Sequence, residues 1–389
     1  MNRTAVVLAL AVTLLCGAAA PAVAATYRVS PTDGPTALGD AVAQLADGDK
    51  LVLLPGDYSE RLVLSGLARV KVIAKRGARM APTGPGAAVQ VALCDDLQLR
   101  GITIESSSAH GIFITGSARV RIKKATIRNT ALHGIFVSSC PDMLVTRCSF
   151  TNTEIGLGLS SSERSVVTRS RFEGTSIRAL TLGVDAALRG SEGFTFSRNV
   201  VEGTSDVAVL VGGGSGPDVV VARNRLLRCA GGVAAISSRT VVDRNVVEDS
   251  TADAILVDSI EGTATRNTVR RCAGTGILAS ARARAAAIAR NRVEDCEPVG
   301  IDVLANECVV ERNDVRNVTG DGISVGGTSG SFRMNKVTSA SQSAFVVGSG
   351  GNTIEANVAS GSGASDLRSA VAESENAYAK NRFATRVFE

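Results

Sequence analysis

The chain has 389 residues, 44% hydrophobic but only 3% aromatic and with no Trp, together with 40 glycines and a formal net charge of +5. So few aromatics exclude the broad globular core that the length alone suggests, and glycine without collagen periodicity marks turns. The mild charge excludes a strongly basic nucleic-acid protein.

In chain order, Arg3, an apolar run from Ala5 to Leu15 and the small residues Ala22-Val23-Ala24 read as a secretory signal peptide over residues 1–25. The run is too short to span a bilayer. Cys16 raises a lipoprotein alternative, but Leu15 stands where a small residue is expected. A secreted or periplasmic mature chain over residues 26–389 follows, expected as one domain. The eight cysteines become seven without Cys16, which leaves at least one unpaired in a monomer.

Next comes TALGDAVAQLADGDKLVLLPGDYSERLVL, from Thr36 to Leu64. It predicts a short amphipathic helix over about residues 36–46, with Leu38, Val42 and Leu45 on one face. A strand, the turn Pro55-Gly56-Asp57-Tyr58 and a second strand complete it. Beyond it an Asn column appears, mostly as Asn-x-Val: Asn199, Asn224, Asn245, Asn267, Asn291, Asn313, Asn335, Asn357 and Asn381. Their spacing of about 22 residues is a solenoid period. Each unit alternates and is rich in β-branched residues, so its segments are strands rather than the helical backs of a leucine-rich repeat. Nine residues after an Asn stands a short apolar strand such as Gly276-Ile277, Gly300-Ile301 or Gly322-Ile323, matched upstream by Gly134-Ile135 and Gly111-Ile112. The expected fold is all-β: a right-handed parallel β-helix of about a dozen three-strand coils. An Asn at each bend tolerates the left-handed backbone conformation and bonds to neighbouring main chain.

This pattern resembles the parallel β-helix repeat of the pectin-lyase-like superfamily over roughly residues 35–385, and the Thr36–Leu64 segment resembles that superfamily's capping module. A cap is needed because an open solenoid end exposes unpaired strand edges. Asp366 to Ala377 reads as a second cap. Cys272 and Cys296 each lie five residues after a ladder Asn, so they stack in consecutive coils. Buried thiols are favoured there over a disulfide. There is no Cys-x-x-Cys pair to hold a metal.

In β-helix enzymes of the superfamily the active groove follows the Gly-Ile strand. The position just before its Gly reads His110, His133, Ile155, Arg178, Val207, Gly232, Asp253, Thr275, Val299, Asp321 and Ser343. The two histidines of the chain thus fall in adjacent coils, in AHGIFI and LHGIFV, beside outward-pointing Phe113 and Phe136. These strings partly resemble the GHG segment of polygalacturonases. The other signatures of that family are missing, so a two-carboxylate hydrolase is not supported. Calcium-dependent pectate lyases resemble the chain in fold only.

A lyase or C5-epimerase needs a base and a cation to hold a uronate carboxylate. His110 or His133 fits the first role and Arg178 the second. Arg178 stands two coils from His133, about 9.6 Å along the axis. Asp185, Arg189 and Glu192, in the insertion after Arg178, and the two phenylalanines are candidate substrate-binding residues. Asp253, Asp258, Asp302 and Asp321 form a weak constellation for a divalent cation such as calcium; no cofactor is otherwise expected.

The residue before the Asn position is a cation in ten coils: Arg100, Lys124, Arg147, Arg169, Arg198, Arg223, Arg244, Arg266, Arg290 and Arg312. It reads as a rail for an acidic polysaccharide or envelope surface, or as stems that cover the turn. The function expected is binding of polysaccharide, of acidic kind, or association with the cell envelope, without nucleic acid and without a transmembrane segment in the mature chain. A polysaccharide lyase or epimerase is the alternative.

Overall fold

A computed structural model describes residues 23–183 and 190–389. The signal-peptide expectation, apart from its last residues, and two candidate residues, Asp185 and Arg189, lie outside the described residues.

Alternating strands wind the chain into a parallel solenoid. One sheet has 16 strands and the strands of the remaining two faces join into a 27-stranded sheet. About 16 coils result, more than the dozen expected. The four coils before residue 105 carry neither the Asn nor the Gly-Ile marker, and neither marker counts them. The strand pairings are parallel, as in Ile112–Thr115 beside Ile135–Ser138, and the register shifts by one residue between Thr130 and His133 against the next coil. Inward residues stack into one continuous core in which Phe150 and Phe172 lie parallel with centroids 4.5 Å apart.

The N-terminal helix forms at Ala37–Ala43, inside the expected span, and buries Leu38 and Ala41. The Glu60 carboxylate accepts from its first free backbone groups, Leu38 N–H at 3.0 Å and Gly39 N–H at 2.9 Å. At the other end, Asp366–Ala377 is wound as a further coil: strand Ser365–Ser369, a short 3₁₀ turn at Glu373–Glu375 and the start of strand Ala377–Ala379. The core is closed there by aromatic packing, Phe383 against Phe345 at 5.1 Å and Phe388 against Tyr378 at 5.9 Å.

The Asn ladder is present from Asn199 to Asn381. From Asn224 onward each Oδ1 accepts from the backbone N–H and side-chain Nδ2 of the previous Asn, Asn199 Oδ1 accepts from Ser170 N–H, and each Nδ2 also donates to a strand carbonyl. For Asn267 these are Asn245 N–H at 2.8 Å, Asn245 Nδ2 at 3.1 Å and Val242 O at 2.8 Å. The left-handed residue is not the Asn. It is the residue before it, at φ between 52 and 58° from Lys124 to Arg312. The Asn side chain must turn into the coil to complete the ladder, so its neighbour takes the reversal. Arg100 is one position out of this column: it pairs with Lys123, and Gly101, at φ 74°, takes the place beside Lys124.

Two other turn columns are also left-handed, and their charges differ in kind. The column preceding the 16-stranded sheet runs Arg69, Asp96, Arg119, Asp142, Arg164, Gly193, Asp218, Arg239 and Glu261. Signs alternate, and coils pair across: Arg164 with Asp142 at 2.8 Å and Arg239 with Asp218 at 2.8 Å. The third column alternates through Arg228, Asp249, Arg271 and Asp295, with Arg271 bound to Asp249 at 2.6 Å. The column before the Asn ladder has one sign only.

Cys272 and Cys296 sit opposite each other in paired strands and form a disulfide, with Cα atoms 4.6 Å apart. This corrects the expectation of stacked thiols: coil stacking alone brings the two Cα atoms inside disulfide reach. Cys94, Cys140, Cys148, Cys229 and Cys308 are buried and unpaired. Burial pushes the Cys140 and Cys148 thiols up to about 11, which keeps them protonated and unreactive.

Candidate functional site

Strand register brings the two histidines and two phenylalanines together. Phe113 pairs with Phe136, and the next residue in that outward column is Gly158. The rings of Phe113 and Phe136 are 5° from parallel at 5.9 Å. His110 lies nearly parallel to both, 5.9 Å from Phe113 and 5.1 Å from Phe136. His133 packs tilted against Phe136 at 5.0 Å and against His110 at 5.1 Å. Its ring occupies the room left by Gly158, where an added Cβ would meet His133 Cδ2 at 2.4 Å. Four half-buried rings therefore form one rigid cluster on the outer surface. The other close aromatic pairs are in the core or at its C-terminal end.

The chemistry of the imidazoles follows from this packing. Burial, and next the proximity of His110, lowers the His133 pKa to about 4; burial lowers that of His110 as well. Both rings are neutral at pH 7. His133 Nδ1 is buried without a partner, and His110 Nδ1 accepts from the His133 backbone N–H at 3.4 Å. The folded pKa of His133 lies below its unfolded value. The native state is thus favoured above pH 6.5, and this contribution is lost as pH falls from there towards 4.

Arg178 is in the expected column, since His133 pairs with Ile155 and Ile155 with Arg178. The column then continues through Val207 and Gly231, so Gly231 takes the place assigned to Gly232. The Arg178 guanidinium is bound by Asp206, a partner 28 residues away that no motif marks. Glu192 is exposed beside the turn of Arg164, whose N–H its carbonyl accepts at 2.9 Å. That turn is at the far end of the strand from Arg178, so the structure does not bring Glu192 to the rings.

The four aspartates are separately engaged. Asp253 accepts from Thr275 N–H at 2.8 Å and Asp321 from Ser343 N–H at 2.9 Å, while Asp258 accepts from Ser280. Burial pushes the Asp302 carboxyl up, with Asp253 and Asp321 adding to it. Among the described residues no group of three or more His, Cys, Asp or Glu is arranged to hold a metal ion.

A surface concavity of about 540 Å³ lies elsewhere, over the 16-stranded sheet and the single-sign column. Lys123, which the sequence reading passed over, lines it with Arg100, Lys124, Arg147, Arg169 and Arg198.

The description "Right handed beta helix region" matches residues 87–226 and 181–315. The chain belongs to this family of right-handed β-helix proteins. No curated protein sequence matches. Among solved structures, the receptor-binding domain of the siphovirus 9NA tailspike is similar at 11% identity and a TM-score of 0.65, over 91% of this chain and 76% of that one. PfbA, a surface adhesin of Streptococcus pneumoniae, is similar at 13% identity and a TM-score of 0.52, over 89% and 93%. The receptor-binding protein of bacteriophage Det7 also gives 13% and 0.52, over 79% and 73%. At such identities the likeness is one of fold. In this β-helix no helix among the described residues is long and apolar enough to cross a membrane.

Proposed function

We propose that this β-helix is an exported protein that binds polysaccharide, of acidic kind, at its outer surface and does not cleave it. The ring cluster of His110, Phe113, His133 and Phe136 carries the reading. Rigid aromatic surface that is half-exposed suits the apolar C–H faces of sugar rings, and its ordering cost is already met by the fold. The same packing weighs against general-base catalysis. A base with a pKa of about 4 is far below the pH at which it would have to work, and Arg178 is already paired with Asp206. The similar β-helices of the 9NA tailspike, PfbA and Det7 are described as receptor-binding proteins or an adhesin, which supports a recognition role for the scaffold.

Removing the rings tests the platform. A Phe113→Ala/Phe136→Ala variant should bind a recognised polysaccharide about tenfold more weakly by calorimetry, the loss expected for two aromatic contacts. Affinity of the parent protein should stay flat from pH 8 to 5, because His133 remains neutral down to about 4. Unchanged affinity in the variant would remove the platform from the binding surface.

A further inference from the structure

We infer that the cation column before the Asn ladder is a binding rail for a linear polyanionic polysaccharide, laid along the solenoid axis beside the outer face of the 16-stranded sheet. This rests on the polysaccharide reading only for the class of polymer; the surface is separate from the ring cluster.

The three turn columns share a left-handed backbone. A non-glycine residue in that conformation is disfavoured, and Asn or Gly adopts it more readily than Arg. In two columns charged residues at these positions alternate in sign and neutralise one another from coil to coil. In the third, nine successive coils from Lys124 to Arg312 hold cations only. Acids are not scarce, since 37 Asp and Glu accompany 42 Lys and Arg in the chain. Among the described residues, only Arg244 and Arg266 of the column find one, and it is the same one, Asp243. Among the described residues no carboxylate lies within ion-pair distance of Lys124, Arg147, Arg169, Arg198 or Arg223. Like charges one coil apart repel, and neither packing nor turn geometry requires them there.

The shape selects the partner. The exposed cations from Lys124 to Arg198, with Arg100 and Lys123, line the 540 Å³ groove, whose remaining lining is Gln98, Leu144, Thr146 and Thr168. Charges recur once per coil, about 4.8 Å, in a straight line. That spacing is comparable with the length of one pyranose residue in an extended chain. No aromatic side chain lines the groove, so single-stranded nucleic acid lacks the stacking platform it ordinarily uses. A lipid surface would meet a concave groove whose one large apolar lining residue, Leu144, is too little to anchor it.

The test replaces three rail residues as Arg147→Asn/Arg169→Asn/Arg198→Asn, using a side chain that accepts the left-handed backbone, so the thermal midpoint should hold. Binding of fluorescently labelled polygalacturonate and dextran sulfate is read by anisotropy. Loss of about tenfold or more is expected, and the parent's affinity should fall by about tenfold or more between 50 and 200 mM salt, as for other polyelectrolyte ligands. The matched control, Arg119→Asn/Arg164→Asn/Arg239→Asn, removes equal charge from the alternating column and should change binding less than about twofold. Equal loss in the control would reduce the effect to net charge and overturn the rail. So would unchanged binding in the rail variant, or tighter binding of a DNA oligonucleotide or of vesicles containing anionic lipid than of either polysaccharide. The ring variant Phe113→Ala/Phe136→Ala, run alongside with uncharged dextran, reports on the platform independently of the rail.

Discussion

Asn267→Ala should destabilise the protein by about 3–5 kcal/mol, the larger of two expected stability effects. The side chain is buried, and its Oδ1 serves both the N–H and the Nδ2 of Asn245 while its Nδ2 serves Val242 O. Alanine fills none of these roles and admits little water. The Asn245 N–H is left without a partner at about 1–3 kcal/mol, the Val242 carbonyl and Asn291 Oδ1 each lose a donor, and Asn245 Nδ2 keeps only Val221 O. The last rung gives the internal comparison. Asn381 makes the same set of bonds, with Asn357 N–H at 2.9 Å and Ile354 O at 2.6 Å, but it is half-exposed and water can replace them. Asn381→Ala should therefore cost only about 1 kcal/mol. Urea unfolding of the two variants beside the parent checks this. Equal losses would mean that the ladder is not held by buried bonds.

Gly300→Ala should cost about 2–3 kcal/mol for a different reason. A Cβ at residue 300 would lie 2.5 Å from Val315 Cγ1 and 2.7 Å from the carbonyl oxygen of Gly322 in the next coil. The valine can shift; the carbonyl cannot without opening the sheet, so the strain stays in the native state. Gly84 has open space around its Cβ position, and Gly84→Ala should be neutral within about 0.5 kcal/mol. Thermal midpoints of both variants decide the point. A neutral Gly300→Ala would show that the Gly-Ile strands have slack between coils.

Both effects concern residues that were legible in the sequence, because a solenoid writes its coil-to-coil contacts as a period. Asn and Gly-Ile recur where the stack needs a buried amide and a close approach. Coils without those markers were uncounted, and that is why 16 strands stack in one sheet where about a dozen coils were expected. Position within a turn was less legible. The known tolerance of Asn for left-handed backbone suggested that it took the reversal, whereas its side chain is needed inside and the preceding cation takes it. A one-residue slip arose at Arg100, where no Asn marks the coil, and another at Gly232, where the Gly231-Gly232 doublet offers two positions for one marker.

The ring cluster was foreshadowed by the repeated His-Gly-Ile-Phe string, but the depth to which Gly158 admits His133, and the resulting low pKa, depend on three coils at once. The same holds for Arg178 and Asp206, 28 residues apart across an insertion. The contrast between alternating and single-sign turn columns required all three turns in register, and only then did the cation run differ from an ordinary solvated face.

The most direct test of binding without cleavage is incubation of the purified protein with alginate, pectate and glycosaminoglycans. Absorbance of unsaturated products, proton exchange at C5 and retention of each polymer are followed together. Retention of an acidic polymer with no new absorbance and no exchange is the expected result. Turnover that disappears in His133→Ala but persists in Asp321→Ala would contradict it and make the ring cluster an active site.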